Sequence, residues 1–117
     1  MYAELSRLPH FNPDDDREDS IVPAAVAQLR AHVAAADALL ISSPEYAHGV
    51  PGSLKNALDW LVSGPEMIGK PVGVLTASSR AIHAPASLVE TLHTMSAVVV
   101  EGAVRVVPLD GRGLDAT

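Results

Sequence analysis

The chain has 117 residues, 48% of them apolar, with no cysteine and a net charge of −6. That length supports a single domain, 1–117, able to bury roughly two thirds of the surface its unfolded form exposes. The scattered Lys and Arg residues form no basic stripe for a phosphate backbone, which excludes nucleic-acid binding, and the lack of Cys excludes disulfides, thiolate chemistry and Cys-bound zinc.

The aromatics are few, Tyr2, Phe11, Tyr46 and Trp60, so the core must be built from Ala, Val and Leu. The acidity is local: Asp14, Asp15, Asp16, Arg17, Glu18 and Asp19 carry five negative charges and one positive, −4 of the −6. This run lacks the spaced ligands and turn Gly of a calcium loop and reads as a solvated loop. No basic-apolar-small leader opens the sequence, and no uncharged stretch reaches the ~18 residues of a membrane span, so a soluble cytoplasmic protein is expected.

In chain order, residues 1–12 read as the frayed end of a strand and a loop, and Asn12-Pro13 marks a turn. Val22, Val26, Leu29 and Val33 then recur at helical spacing from Pro23 to about Ala35. Ala38 to Ile41 is a short continuous apolar run, the pattern of a strand buried on both faces. After a Pro/Gly-rich loop, Leu54, Ala57, Leu58 and Leu61 define one face of a helix from about Ser53 to Val62. Gly69-Lys70 makes a turn into a second buried strand, Pro71 to Thr76. Ala77 to His83 is a loop, and Pro85 opens a helix carrying Leu88, Leu92 and Met95. A third strand runs from Ala97 to Val100, continued by Val104 to Val107 beyond a break at Gly102. Strand, loop and helix alternate, which predicts an α/β fold with a parallel sheet and helices on both faces.

The usual chemistries leave no signature. The five His residues never share a helix at a spacing of three or four, so no local zinc motif exists, and neither a GxSxG elbow nor a GxGxxG or P-loop sequence occurs. The loop from Ser43 to Gly52 is the informative feature. Delivered by a strand and opening into a helix, it lies where open α/β sheets bind cofactors. As a bare connection, its Pro and Gly residues would only shape turns and Glu45 would be solvated. As a binding loop, Gly49 permits close backbone approach, Tyr46 can cover an aromatic face, and the helix N-terminus favours negative charge. A flavin would profit from each, because its reduced ring gathers negative charge along one edge.

The run ADALLISSPEYAHGVPGSLKNALDWLVS, followed by GKPVGVLTAS, closely resembles the NADPH-dependent FMN reductases of the flavodoxin-like superfamily, which include enzymes described as quinone, chromate and azo reductases. The resemblance covers essentially the whole chain. It implies a flavodoxin-like three-layer α/β/α fold, FMN at the strand ends, and hydride passing from NADPH through FMN to a small acceptor in a homodimer or homotetramer. Carried over residue by residue, Pro44, Glu45 and Tyr46 match the family's ring-contacting motif, and Ala47, His48 and Gly49 its continuation. Position 47 is frequently Asn in the family, so a side-chain amide contact is replaced here by backbone. Thr76, Ala77 and Ser78 match the second ring-contacting segment, with Arg80 beyond it. Leu54 to Ala57 with Asp59-Trp60 match a helix signature assigned to packing and subunit contact.

The resemblance also implies an incomplete fold. Met1 begins within what looks like the family's second strand, while the first strand and its phosphate-holding loop have no counterpart. Gly111 to Thr117 stop where a last helix would begin. In a 2-1-3-4-5 sheet the first strand lies beside Ala38 to Ile41, and without it a hydrogen-bonding edge is open. Losing three charge-assisted phosphate contacts at roughly 1.5–3 kcal/mol each would weaken a nanomolar flavin site to micromolar or worse. Two functions stay open on these grounds: an FMN-dependent NAD(P)H oxidoreductase, or a non-catalytic flavodoxin-like remnant acting as an oligomerisation or partner-binding module.

Overall fold

The uninterrupted apolar runs become three parallel strands, joined by helices whose apolar stripes close over them. The computed structural model describes residues 4–44, 47, 49–77 and 83–107, apart from the side chains of Ala77 and Val107. In chain order the elements are α1 (Ala24–Ala35), β1 (Leu39–Pro44), α2 (Gly52–Leu61), β2 (Pro71–Ala77), α3 (His83–Thr94) and β3 (Val98–Val107), preceded by single 3-10 turns at Leu5–Arg7 and Pro13–Asp15. The sheet order is β1-β2-β3, both pairs parallel.

One sheet face holds the core. Strand alternation puts Leu39 and Ile41 of β1 beside Val72 and Val74 of β2. These pack with Val26, Leu29 and Val33 of α1, Ala57, Leu58, Trp60 and Leu61 of α2, and Leu88 and Leu92 of α3 in a single cluster. The opposite face is bare at its margins, with Leu40 66% and Val98 53% exposed. Helices were expected on both faces; among the described residues all three pack against one, so the flavodoxin-like layers are present in part.

The expectation that the first strand is buried on both faces is corrected. It is an edge strand, paired with β2 alone among the described residues, and it runs three residues further than its apolar stretch, through Ser42, Ser43 and Pro44. β2 is the buried central strand, and small Gly73 lets Leu40 and Ala103 approach from either side. The break foreseen at Gly102 is a bulge inside one continuous strand: between Val72↔Val99 and Val74↔Val104, β2 advances two residues and β3 five.

The N-terminal segment departs from expectation too. Residues 1–3 lie outside the described residues, while the stretch through Pro9 and Phe11 is anchored rather than frayed. The Trp60 indole donates to the Pro9 carbonyl at 2.8 Å, Asn56 Nδ2 donates to the same oxygen at 2.9 Å, and Asn56 Oδ1 accepts from the Phe11 N–H at 2.7 Å. Phe11 meets Trp60 edge to face with ring centroids 5.0 Å apart. The packing role expected of Asn56 and Trp60 is thus to hold this segment on α2.

The acidic run is only partly a solvated loop. Arg17 pairs with Asp14 in the open, but Asp16 turns inward to Arg30 of α1 at 2.8 Å, with its side chain 9% exposed. Arg30 also donates to the Trp60 carbonyl at 2.7 Å, and Ser63 donates to the second Asp16 oxygen. Burial pushes the Asp16 carboxyl up, but the bonds from Arg30 and Ser63 outweigh it and hold the group below its ordinary value.

Candidate functional site at the strand ends

Parallel pairing brings the C-terminal ends of β1 and β2 to the same edge of the sheet. Ser43 lies beside Thr76 and Pro44 beside Ala77, so the two segments expected to touch a ring, separated by some thirty positions in sequence, are neighbours in space. Glu45, Tyr46, His48, Ser78 and Arg80 lie outside the described residues.

Three features define the local chemistry. Ala47 is exposed and left-handed, φ 48°, a conformation that costs a residue with a Cβ about 1–2 kcal/mol and turns the chain sharply after β1. Gly49, half-buried, forms an isolated β-bridge. α2 then begins behind Pro51, which has no side chain able to cap it; the first intrahelical bond is Lys55 N–H to the Pro51 carbonyl. The exposed first turn at Gly52 and Ser53 therefore presents N–H groups without a side-chain cap, at the positive end of the helix dipole.

Between β1 and this first turn is a cleft of about 170 Å³, lined by Leu5, Ser42, Ser43, Pro44, Pro51, Ser53 and Leu54. The buried Ser43 hydroxyl donates to the Pro44 carbonyl at 3.0 Å and so braces the strand end. Thr76 is 1% exposed, backbone included, and does not line this cleft. No described residue lining the cleft is an acid or base, and among the described residues no cluster of His, Cys, Asp or Glu could hold a metal ion. A flat heteroaromatic ring with carbonyl edges suits such a donor set: N–H groups for its acceptors and proline faces for its apolar surface. The residues present fit FMN on that ground. Ser42, Ser53 and Leu54 were not foreseen in the site; the apolar pattern stops at Ile41 and so hides the last three residues of β1, whose end brings Ser42, Ser43 and Pro44 to the cleft. A larger groove of about 520 Å³ runs along β1, its lining apolar apart from His32 and Ser42.

A family model described as NADPH-dependent FMN reductase matches residues 2–110. The chain is 42% identical over 79 residues to an NAD(P)H-dependent FMN reductase of Pseudomonas aeruginosa, covering 66% of this chain and 42% of that protein. It is 39% identical over 80 residues to a quinone reductase of Escherichia coli, with 67% and 42% covered. Among solved structures, FerB, a flavoenzyme NAD(P)H:(acceptor) oxidoreductase from Paracoccus denitrificans, superimposes with a TM-score of 0.71 at 31% identity, over 84% of this chain and 56% of that one. The chain thus spans less than half the length of these two curated relatives.

Proposed function

Because the chain belongs to the NADPH-dependent FMN reductase family, we propose that it acts in NAD(P)H-dependent reduction of a small, quinone-like acceptor, with FMN held at the ends of β1 and β2. The observation that carries this reading is the register that sets Pro44 beside Ala77, with Pro44 lining one cleft together with Ser53 of the uncapped first turn of α2. The holding residues are Pro44, Glu45, Tyr46, Ala47, His48 and Gly49 from the first loop and Thr76, Ala77 and Ser78 from the second.

When bound, FMN supplies the redox chemistry, accepting a hydride and passing reducing equivalents on. The protein's part is placement. Ala47 and Gly49 shape a backbone turn against which a ring can lie, the Gly52 and Ser53 N–H groups favour an anionic edge, and Pro44 and Pro51 give apolar contact while excluding water from one side. Buried Ser43 and Thr76 keep both strand ends rigid. With FMN held there, donor and acceptor would reach it in turn, and ping-pong kinetics with tolerance of several acceptors would follow. Assembly as a homodimer or homotetramer, and residence in the cytoplasm, belong to the same proposal; no helix of the described residues is long and apolar enough to cross a membrane.

The test is NADPH oxidation by the purified full chain with added FMN and a small quinone. The expected result is a rate that saturates with FMN and needs all components. A rate no higher than that of FMN and quinone without protein would overturn the proposal and favour a non-catalytic module.

A further inference from the structure

The cleft at the end of β1 has one wall from outside the β1–α2 unit. Ser42, Ser43 and Pro44 belong to β1, and Pro51, Ser53 and Leu54 to the start of α2, whereas Leu5 comes from the 3-10 turn Leu5–Arg7. Leu5 is half-buried and packs on the core, and its turn lies against α2.

Contacts along α2 hold this wall in place. The turn closes with the Leu8 N–H donating to the Leu5 carbonyl at 3.2 Å, and Leu8 is itself buried. Directly after it, the Asn56 amide engages two backbone groups: Nδ2 donates to the Pro9 carbonyl at 2.9 Å, and Oδ1 accepts from the Phe11 N–H at 2.7 Å. One side chain thereby makes the pair of bonds that a residue of a parallel strand makes to its neighbour. Trp60, one helical turn on, donates to the same Pro9 carbonyl at 2.8 Å. Ser53, Asn56 and Trp60 follow at spacings of three and four, on one face of α2. The first turn of that face borders the cleft, and the next two carry the clamp.

We propose that Leu5 is a wall of the flavin cleft and that Asn56 is the positioning residue that sets it there, acting through Pro9 and Phe11. The ligand in this assignment rests on the flavin reading; the placement of Leu5 rests on the hydrogen bonds alone. Leu5 adds apolar surface beside Pro44, Pro51 and Leu54, against which a ring is shielded from water. Such a contact has no directional bond of its own, so its strength depends on how closely the backbone beneath it is held. Asn56 commits both ends of its amide to that backbone.

The test is a double-mutant cycle on FMN affinity, measured with the full chain well below its unfolding temperature, so that a loss of stability alone leaves the reading unchanged. Leu5→Ala should weaken binding about tenfold, the worth of one to two buried methylenes. Asn56→Ala should weaken it at least about threefold, and the double variant should bind no worse than Leu5→Ala, because Asn56 acts through Leu5. Asn56→Asp, which keeps the acceptor for the Phe11 N–H and loses the donor to Pro9, serves in place of Asn56→Ala should that variant fail to fold, with the same direction expected. Unchanged affinity in Leu5→Ala or in the Asn56 variant, or effects that simply add, would overturn the proposal. If the native chain binds no FMN, the flavin reading fails separately, and the placement is read from nuclear Overhauser contacts of the Leu5 methyls with Pro51 and Leu54: contacts present in the native chain and weakened by the Asn56 variant uphold it, while contacts absent or unchanged overturn it.

Discussion

Replacing Arg30 by Met tests whether the acidic segment is a structural part of the molecule. Arg30 reaches the Asp16 carboxylate at 2.8 Å, the Trp60 carbonyl at 2.7 Å and the Ser63 hydroxyl at 3.2 Å, joining the loop after residue 13 to α1 and to the end of α2. Removing one partner of a fully buried ion pair costs about 3–5 kcal/mol. Here the side chains are 18% and 9% exposed and Ser63 still donates to Asp16, so the expected cost is smaller, about 2–3 kcal/mol. For a domain of this size that lowers Tm by roughly 6–12 °C. Urea unfolding gives the free energy directly. Arg17→Met is the internal control, because the Arg17–Asp14 pair is 66% and 74% exposed and should be worth no more than about 0.5 kcal/mol. If Arg30→Met and Arg17→Met cost the same within error, the inward turn of Asp16 contributes nothing and the reasoning fails.

The same carboxylate sets a pH dependence. Its folded value lies below the unfolded one, so the stabilisation is complete above the unfolded value of about 4 and is lost as pH falls through the folded value. The gap in stability between the native chain and Asp16→Asn should be constant from neutrality to about pH 5 and shrink below it; a gap that widens on acidification would contradict the assignment. Trp60→Phe removes the indole bond to the Pro9 carbonyl, which Asn56 still satisfies, and trims a fully buried side chain; a loss of about 1–3 kcal/mol is expected, with faster proteolysis ahead of Asn12. Ala47→Gly relieves a left-handed residue but loosens the unfolded chain, leaving a net change within about 1 kcal/mol, read by thermal unfolding.

Element type was legible wherever periodicity was strong. The three-and-four spacing of Val26, Leu29 and Val33, and that of Leu88, Leu92 and Met95, puts these side chains on one face, and all of them are buried. The continuous run Leu39-Leu40-Ile41 was less informative, since it looks the same in a central strand and at an edge with one bare face; only the neighbours decide, and they are distant in sequence. Ser42 and Ser43 hid the end of β1 because they break the apolar pattern while keeping extended backbone. The anchoring of Pro9 and Phe11 and the Asp16–Arg30 pair join residues up to 51 apart, and no local signal encodes them. At the candidate site, the two loop segments were recognisable as motifs, whereas their adjacency follows from the register of Pro44 with Ala77 and the uncapped start of α2 from the fold.

The central claim, that the ends of β1 and β2 hold FMN, is tested most directly by titrating FMN with the full chain while following flavin fluorescence and backbone amide resonances. Saturable quenching is expected, with shifts concentrated in the residues around Pro44, Ala47 to Ser53 and Thr76–Ala77. Flavin fluorescence unchanged at a large protein excess, or shifts confined to the groove between α1 and α2, would contradict it.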